Sequence, residues 1–177
     1  MTLDGPMRDA ELRLEPTVAE HREALRTACA EDPHIWDIYP TRFFGDDFDT
    51  AFNTLLPPDV HRSFVVFKGD ELVGMTSYLD VDEANRTLEI GRTYLAPHVR
   101  GTGFNRRMKQ LMLERAFEQG FTRVVFRIDT RNSRSMAAVE RLGAVREGTL
   151  RKNRITWSGY VRDTAVYSIL AGEWHAG

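Results

Sequence analysis

The sequence predicts a mixed α/β fold in which helices pack on a sheet. Two runs rich in apolar and β-branched residues flank Gly69-Asp70, a pattern that is typical of a hairpin. After the hairpin, strand-like and helix-like periodicities alternate from Thr87 to Leu142, and two further strand patterns close the chain. The 177 residues are enough for one sizeable core, so we assign residues 1–177 to a single domain.

The first third of the chain predicts one strand and two helices. An apolar alternation at residues 12–14 indicates the strand, and the segments Glu20–Ala30 and Asp46–Leu56 suit the helices. The aromatic and polar segment His34–Pro40 between the helices is interpreted as a loop. Pro57-Pro58 marks another loop, because a proline has no N–H to donate to a helix or a sheet.

The remaining strands follow from β-branched and period-two patterns. They are predicted at Ser63–Lys68, Leu72–Leu79, Thr87–Leu95, Val124–Ile128, Ala144–Arg151 and Arg162–Leu170. Two helices separate the later strands. Apolar residues recur at helical spacing from Phe104 to Phe117, with Gly120 in the position that ends a helix, and Ser133–Leu142 forms the other helix before Gly143.

The composition is that of an ordinary globular protein, with 42% hydrophobic and 28% charged residues. The formal net charge of −2 argues against a nucleic-acid binder, which usually carries a basic excess. Cys29 is the only cysteine, so no internal disulfide can form and a reducing compartment is expected. The start lacks the apolar core of a secretory signal and no run is long enough to span a membrane, so we expect a cytoplasmic protein.

The most informative segment is Leu95–Asn105, where a strand runs through a Gly-x-Gly turn directly into an amphipathic helix. The first turn of a helix has free backbone N–H groups and a partial positive charge, and glycine lets a bulky anion approach. A plain strand-to-helix turn would have the same glycines. The nearby cationic residues favour phosphate binding instead; they are Arg100, Arg106, Arg107 and Lys109.

Two common nucleotide-binding motifs are excluded at this junction. A dinucleotide fold would place a third glycine where this chain has Arg106, at a point where the helix must pack closely on the strand. A P-loop would need Gly-Lys-Ser/Thr after four spacer residues, and the chain lacks that sequence.

Residues 98–103 resemble the pyrophosphate-binding signature of the GNAT superfamily, Gln/Arg-x-x-Gly-x-Gly/Ala. Asp129–Ser135, Leu142-Gly143-Ala144 and the closing residues from Gly159 to Trp174 are similar to the RimJ/RimL-like branch, which acetylates ribosomal-protein N-termini or small amines. The resemblance covers nearly the whole chain. His98 departs from the signature, but the phosphate contacts in this family come mainly from backbone N–H groups.

The resemblance implies a mostly antiparallel sheet with helices on both faces and a V-shaped opening between two central parallel strands. It also implies acetyl-CoA as co-substrate, with its pantetheine arm in the opening. The residues that match the family's cofactor contacts are Leu95, His98, Val99, Arg100, Gly101, Thr102, Gly103, Phe104, Asn105, Asn132 and Ser135. Asn132 has a second interpretation as the N-cap of the following helix.

Two residues are candidates for catalysis. Ser135 matches the position that in RimL-like enzymes protonates the departing thiolate, with Tyr167 as a second candidate acid. Glu89 is the candidate base, since a protonated amine must lose a proton before it attacks a thioester. Strand alternation predicts that Glu89 shares one face with Gly91 and Thr93. The alternative for Glu89 is a structural ion pair with Arg92 or Arg127.

In this family the segment that holds Trp36 and Tyr39 lines the acceptor side, so both are candidate substrate residues. The basic cluster Arg146, Arg151, Lys152 and Arg154 could meet an acidic partner, but an exposed run of charges is usually a solvated face. No metal-ligand spacing occurs, so no metal is expected.

The resulting hypothesis is an N-acetyltransferase that moves an acetyl group from acetyl-CoA directly to a primary amine, either a protein N-terminus or a small molecule. The alternatives are a longer acyl group and a non-catalytic acyl-CoA sensor. We expect no nucleic-acid or membrane partner, and the resemblance makes a homodimer one candidate assembly.

Overall fold

The fold is built on one eight-stranded sheet, seen in a computed structural model that describes residues 2–56 and 62–174. The strands are β1 (Met7–Asp9), β2 (Leu12–Pro16), β3 (Arg62–Lys68), β4 (Glu71–Asp82), β5 (Thr87–Leu95), β6 (Arg123–Asp129), β7 (Val145–Ile155) and β8 (Val161–Leu170). Their order is β1-β2-β3-β4-β5-β6-β8-β7, and every neighbouring pair is antiparallel except β5–β6. The mixed α/β fold, mostly antiparallel with one parallel pair, is therefore confirmed.

Four α-helices pack on the sheet, and none in the described part of the chain is both long and apolar enough to cross a membrane. They are α1 (Arg22–Ala30), α2 (Phe48–Asn53), α3 (Phe104–Glu118) and α4 (Ser133–Glu140). All four were predicted, although α2 is shorter than expected because its first turn, Gly45–Asp47, is a 3-10 helix. The predicted loop at Pro57-Pro58 lies outside the described residues.

Two other parts of the chain differ from the prediction. The segment that was interpreted as a loop contains a 3-10 helix, Pro33–Ile38, which begins on a proline already set to a helical φ. The segment forms a helix because its apolar side chains pack inward, with Trp36 fully buried. The strand β1 was not predicted, because three residues are too few to show an alternation.

Helices cover both faces of the sheet, as predicted. Alternation along β3 sends Phe64 and Val66 into the core beneath α3, and sends Val65 into a separate core beneath α1 and α2. The strands of the sheet thus carry apolar side chains on both sides, which is why β3 reads as a continuous apolar run.

The sheet is unusually tight where β4 passes β5 beside Gly74. A Cβ built on Gly74 would lie 2.1 Å from the backbone oxygen of Tyr94, a distance at which the backbone must move. The two strands are also joined here by the backbone N–H of Ala96, just after β5, which donates to the oxygen of Val73 at 2.7 Å. Glycine is therefore required at position 74 to let the two strands approach.

We predict that Gly74→Ala lowers the free energy of unfolding by about 2–4 kcal/mol, since a rigid backbone atom blocks the added methyl group. Gly148→Ala is the matched control in β7, where a Cβ meets no atom within 4 Å. It should change stability by less than about 0.5 kcal/mol. Urea unfolding of both variants measures the difference, and equal stabilities would contradict the predicted clash.

Candidate functional site

A V-shaped opening separates the two parallel strands at the centre of the sheet. β5 and β6 are paired only at Thr87↔Arg123, Leu88↔Val124 and Glu89↔Val125, and beyond those pairs they diverge. A cavity of about 1010 Å³ lies in the gap. Its lining comes from both strands, the start of α3 and of α4, the segment before α2 and the β7–β8 hairpin. The opening that was predicted between the two parallel strands is therefore present.

A β-bulge in β5 shapes one wall of the opening. The pairs Met75↔Tyr94 and Ser77↔Gly91 leave Arg92 and Thr93 together opposite a single residue of β4, and Arg92 has a positive φ of 50°. The bulge turns Thr93 toward α3, where its Oγ1 lies 2.9 Å from Thr76 Oγ1. The prediction that Thr93 shares a face with Glu89 is therefore wrong, because simple alternation does not continue through a bulge.

The Gly-x-Gly turn forms a cradle of backbone N–H groups at one end of the cavity. Gly101 and Gly103 have positive φ values of 74° and 86°, and a Cβ on either would meet no atom within 4 Å. No group in the described chain accepts a hydrogen bond from the backbone N–H groups of residues 101–106. Together with the N-terminus of the 15-residue helix α3, these groups form a site that fits an anion such as a pyrophosphate.

The residues predicted to contact the cofactor divide into two groups. Those that line the cavity are Leu95, Arg100, Gly101, Gly103, Asn105, Asn132 and Ser135. Those that do not line it are His98, Val99, Thr102 and Phe104. Val99 and Phe104 have side chains in the core, and the Thr102 hydroxyl donates to the oxygen of Val99 at 2.8 Å.

The start of the predicted signature, residues 98–100, has a structural role in the fold. The N–H groups of Val99 and Arg100 donate to the oxygens of Ala96 and Pro97, so these two are not free for a ligand. Arg100 Nε donates to the oxygen of Leu95 at 2.7 Å, and its Nη1 bonds Asp32 Oδ2 at 2.5 Å. Arg100 therefore fixes the turn to the segment that follows α1.

The His98 side chain is on the outer surface. Its Nδ1 lies 3.5 Å from Glu31 Oε2 and its Nε2 lies 3.4 Å from Glu71 Oε1. Among the described residues, this exposed trio is the only group with three ligand atoms close enough to hold a metal ion. None of its three residues lines the opening, and the expected absence of a metal stays a prediction.

Glu89 is buried at the base of the opening, with 8% of its surface exposed. Its carboxylate accepts a hydrogen bond from Arg127 Nη1, which also bonds Asp80 Oδ2 at 2.6 Å. Burial raises the pKa of Glu89, and the neighbouring Arg127 opposes that rise only in part. The side chain folds over Gly91, where a Cβ would lie 2.9 Å from Glu89 Oε1.

Arg92 is not the partner of Glu89, because it donates to the oxygen of Thr54 at 3.3 Å. The ion pair that was considered for Glu89 is thus formed with Arg127, and the same carboxylate also faces the cavity. The ion pair and a role as base are compatible with this position.

Asn132 and Ser135 lie together at the start of α4, where both line the cavity. Asn132 Oδ1 accepts a hydrogen bond from the backbone N–H of Ser135 at 3.1 Å, so Asn132 caps the helix. Within the described chain, neither the Asn132 amide nitrogen nor the Ser135 hydroxyl has a partner. Tyr167, the other candidate acid, is buried in the core and donates to Glu140 Oε1 at 2.8 Å, away from the cavity.

The two candidate substrate residues have different positions. Tyr39 lines the cavity, and its hydroxyl donates to the oxygen of Thr93 at 2.6 Å. Trp36 does not reach the cavity; it stacks on Tyr94 with ring centres 4.9 Å apart. The oxygen of Trp36 accepts a hydrogen bond from Trp157 Nε1 at 2.7 Å, which fastens the tip of the β7–β8 hairpin over this segment.

Lys109 is a cavity residue whose position the sequence did not reveal. It was counted among the cations that favour phosphate binding, yet only 7% of its surface is exposed and its Nζ lies 3.4 Å from Thr93 Oγ1. Burial lowers its pKa from 10.5 to about 8. The signal in the sequence is helical spacing, since Asn105, Lys109 and Met112 share one face of α3.

A comparison with protein-family models matches residues 11–145 to the acetyltransferase (GNAT) domain. Among solved structures, a probable acetyltransferase of the GNAT family from Chromobacterium violaceum ATCC 12472 is 32% identical, with a TM-score of 0.89 over 97% of this chain and 88% of that one. A GCN5-related N-acetyltransferase from Brucella melitensis is 26% identical, with a TM-score of 0.85 over 96% of this chain and 80% of that one. A comparison with curated proteins gave no match.

The microcin C7 self-immunity acetyltransferase MccE, solved with acetyl-CoA and AMP, is a more distant structural neighbour. It is 19% identical, with a TM-score of 0.81 over 92% of this chain and 93% of that one. At that identity the likeness shows a shared fold alone.

The burial of Lys109 leads to a prediction about stability and pH. Because the folded state lowers the Lys109 pKa, a charged lysine costs folding free energy, and the cost disappears as pH rises from about 8 to 10.5. Lys109→Met should therefore be more stable than the parent at pH 7 by on the order of 3 kcal/mol. The advantage should shrink toward pH 10.5. Urea unfolding of the ligand-free proteins at several pH values tests this, and an advantage that does not vary with pH would contradict it.

Proposed function

Since the chain belongs to the GNAT family of acyl-CoA-dependent acetyltransferases, we propose that it transfers an acetyl group from acetyl-CoA directly to a primary amine. The observation that supports this most strongly is the row of free N–H groups at residues 101–106, which lies at one end of a cavity between two diverging strands. The other end of the same cavity holds Glu89 and Tyr39. A cofactor and an acceptor could thus meet in one enclosed space.

The cradle would hold the pyrophosphate of acetyl-CoA. Backbone N–H groups suit this task because they are fixed in direction and need no side chain to be ordered. Arg106, Arg134 and Arg141 line the same cavity and would add positive charge for the phosphates. The free amide nitrogen of Asn132 would donate to a carbonyl of the pantetheine arm, while its oxygen keeps the cap of α4.

Glu89 would take the proton that the amine must lose. An ordinary primary amine is protonated at neutral pH, and a positioned base contributes roughly 10²- to 10⁴-fold to such a step. Burial raises the pKa of Glu89 and so makes its carboxylate a stronger base, while the neighbouring Arg127 opposes that rise in part. The carboxylate is then able both to attract the protonated amine and to accept its proton.

Ser135 would assist the departure of the thiol. Nitrogen attacks the thioester carbon, the carbon–sulfur bond breaks, and the sulfur leaves with the bonding electron pair. A hydroxyl held near that sulfur stabilises the developing charge and can deliver a proton. The Ser135 hydroxyl has no partner in the described chain and lies on the cavity wall beside Asn132, which supports this role.

The acceptor is proposed to be a protein N-terminus or a small-molecule amine, as in the RimJ/RimL-like branch, and the active form a homodimer. A sensor that binds acyl-CoA without chemistry would not need a buried carboxylate at the far end of the cavity. A preference for a longer acyl group would show as faster turnover with propionyl-CoA or butyryl-CoA than with acetyl-CoA.

A pair of glycine variants tests the cradle. Gly103 is the N-cap of α3, and Gly120 lies just after the end of the same helix. Their φ values are 86° and 87°, and a Cβ built on either would meet no atom within 4 Å. Valine at either position should cost similar backbone strain, about 1–2 kcal/mol. Only Gly103→Val should also abolish the rise in melting temperature that saturating acetyl-CoA gives the parent protein. If the parent shows no rise, or if Gly103→Val keeps it, the proposed cradle is wrong.

The role of Glu89 is tested by the dependence of rate on pH. Glu89→Gln should lose most activity at low pH, where few acceptor amines are neutral, and recover part of it at high pH. Asp80→Asn is the companion variant, because the Asp80 charge raises the pKa of Glu89. Loss of the Asp80 charge should lower the pKa of Glu89 and so move the acidic limb of the rate profile to lower pH. Profiles of unchanged shape in both variants would reduce Glu89 to an ion-pair partner of Arg127.

A further inference from the structure

Cationic side chains outnumber acidic ones along the cavity. Nine of them line it, against three carboxylates. The carboxylates are all engaged, since Asp80 and Glu89 bond Arg127 while Asp129 bonds Arg131. Arg100 is paired with Asp32, and three further cationic residues of the lining can serve the phosphates of the cofactor; they are Arg106, Arg134 and Arg141. The cations on the acceptor side have no such explanation.

Arg154 and Arg162 form a like-charged pair on the acceptor side. The register of β7 and β8 places them directly opposite each other, and both line the cavity. Like charges in directly opposed positions of a sheet destabilise it. Neither guanidinium lies within ion-pair distance of a carboxylate in the described chain. Arg154 was interpreted from the sequence as part of a solvated face, whereas it stands at the rim of the cavity.

Arg162 is the more unusual member of the pair, because only 5% of its surface is exposed. Its Nε donates to Thr164 Oγ1 at 2.8 Å, and no described residue accepts a hydrogen bond from its two Nη atoms. Burial lowers the pKa of Arg162, Asp129 opposes that fall, and the neighbouring Arg154 adds to it. Asp129 is near enough to attract it, but that carboxylate accepts three hydrogen bonds from Arg131.

A third guanidinium lies on the same side. Arg92 has hydrogen bonds only to the backbone oxygen and the hydroxyl of Thr54. Its pKa is lowered by burial first and by Arg154 second. A buried charge such as that of Arg162 is rarely kept unless it binds something of the opposite sign. A planar guanidinium with free Nη groups matches the two oxygens of a carboxylate or phosphate.

We infer that the acceptor amine carries its own acidic group, a carboxylate or a phosphate, which Arg162 and Arg154 bind while the amine lies toward Glu89. This inference rests on the proposed function and narrows its substrate class. It disfavours polyamines, whose several positive charges would meet unpaired arginines. An acceptor with both charges would satisfy Glu89 and the arginine pair at once, and so be held in one orientation.

Matched amines test the inference. The pairs are glycine and methylamine, phenylalanine and phenethylamine, and O-phosphoethanolamine and ethanolamine, with spermidine as the polycation. The acid-bearing member of at least one pair should be acetylated with a kcat/KM at least about tenfold above its partner. The first two pairs test whether a carboxylate on the acceptor raises the rate, and the third pair tests a phosphate. Faster acetylation of spermidine, or of the members without an acidic group, would overturn the inference.

Three arginine variants assign the preference to these side chains. Arg154→Gln and Arg162→Lys should lower kcat/KM for the acid-bearing amine by about ten- to hundredfold, mainly through KM, and leave the partner amine nearly unchanged. Arg154 is exposed, so its variant should fold even if the other does not. Arg151→Gln, on the exposed part of β7 away from the cavity, is the control and should behave as the parent. Equal losses for both amines would contradict an anion site.

A binding measurement separates this inference from the proposed function. If acetyl-CoA binds but no amine is acetylated, the proposed function fails for these acceptors while the anion site is still tested. With CoA saturating the cradle, titration calorimetry with succinate and with inorganic phosphate should show binding by the parent and by Arg151→Gln. The binding should weaken at least about tenfold in Arg154→Gln. Absence of anion binding by the parent would overturn the inference.

Discussion

The divergence of β5 from β6 is the constraint on which the rest of the molecule depends. Three residue pairs hold the two strands in parallel, and then each continues with a different neighbour: β5 along β4, and β6 along β8 up to Asp129↔Thr164. Where the two strands separate, their backbone N–H and C=O groups lose the partners that a continuous sheet would give them. Such buried groups normally need a hydrogen-bond partner. The hydroxyl of Tyr39 satisfies one of these groups, the oxygen of Thr93, and the space that remains is the cavity.

The two ends of that cavity differ in the charged and polar groups that they present to a ligand. At one end, glycines at positive φ expose the N–H groups of residues 101–106 at the start of α3, beside arginines that can attract phosphates. At the other end, a buried carboxylate faces a pair of opposed arginines. Lys109 lines the same cavity, with a pKa of about 8. An acetyl donor with an anionic tail and an acceptor with an acidic group would both be drawn in by this arrangement.

The sequence predicted the architecture better than the site. The bounds of β5, the strand–Gly-x-Gly–helix junction and α3 were predicted nearly as found, because their patterns are local. The positions of Thr93, Trp36 and His98 were not, since a bulge, a core contact and a surface acid pair depend on residues distant in the chain. Arg162 and Arg154 were missed because the predicted strand ended at Arg151, before Arg154, and because the sequence carries no sign that the two arginines face each other across the sheet. Only the register of β7 on β8 shows it.

Amide hydrogen exchange tests the central claim most directly, because it observes the cradle itself. Without ligand, the N–H groups of residues 101–106 have no acceptor among the described residues and should exchange rapidly, whereas those of Val99 and Arg100 are already bonded. With saturating acetyl-CoA, exchange at residues 101–106 should slow by about tenfold or more, with little further change at Val99 and Arg100. Rapid exchange at residues 101–106 in the presence of bound acetyl-CoA would contradict the claim that this turn holds the cofactor.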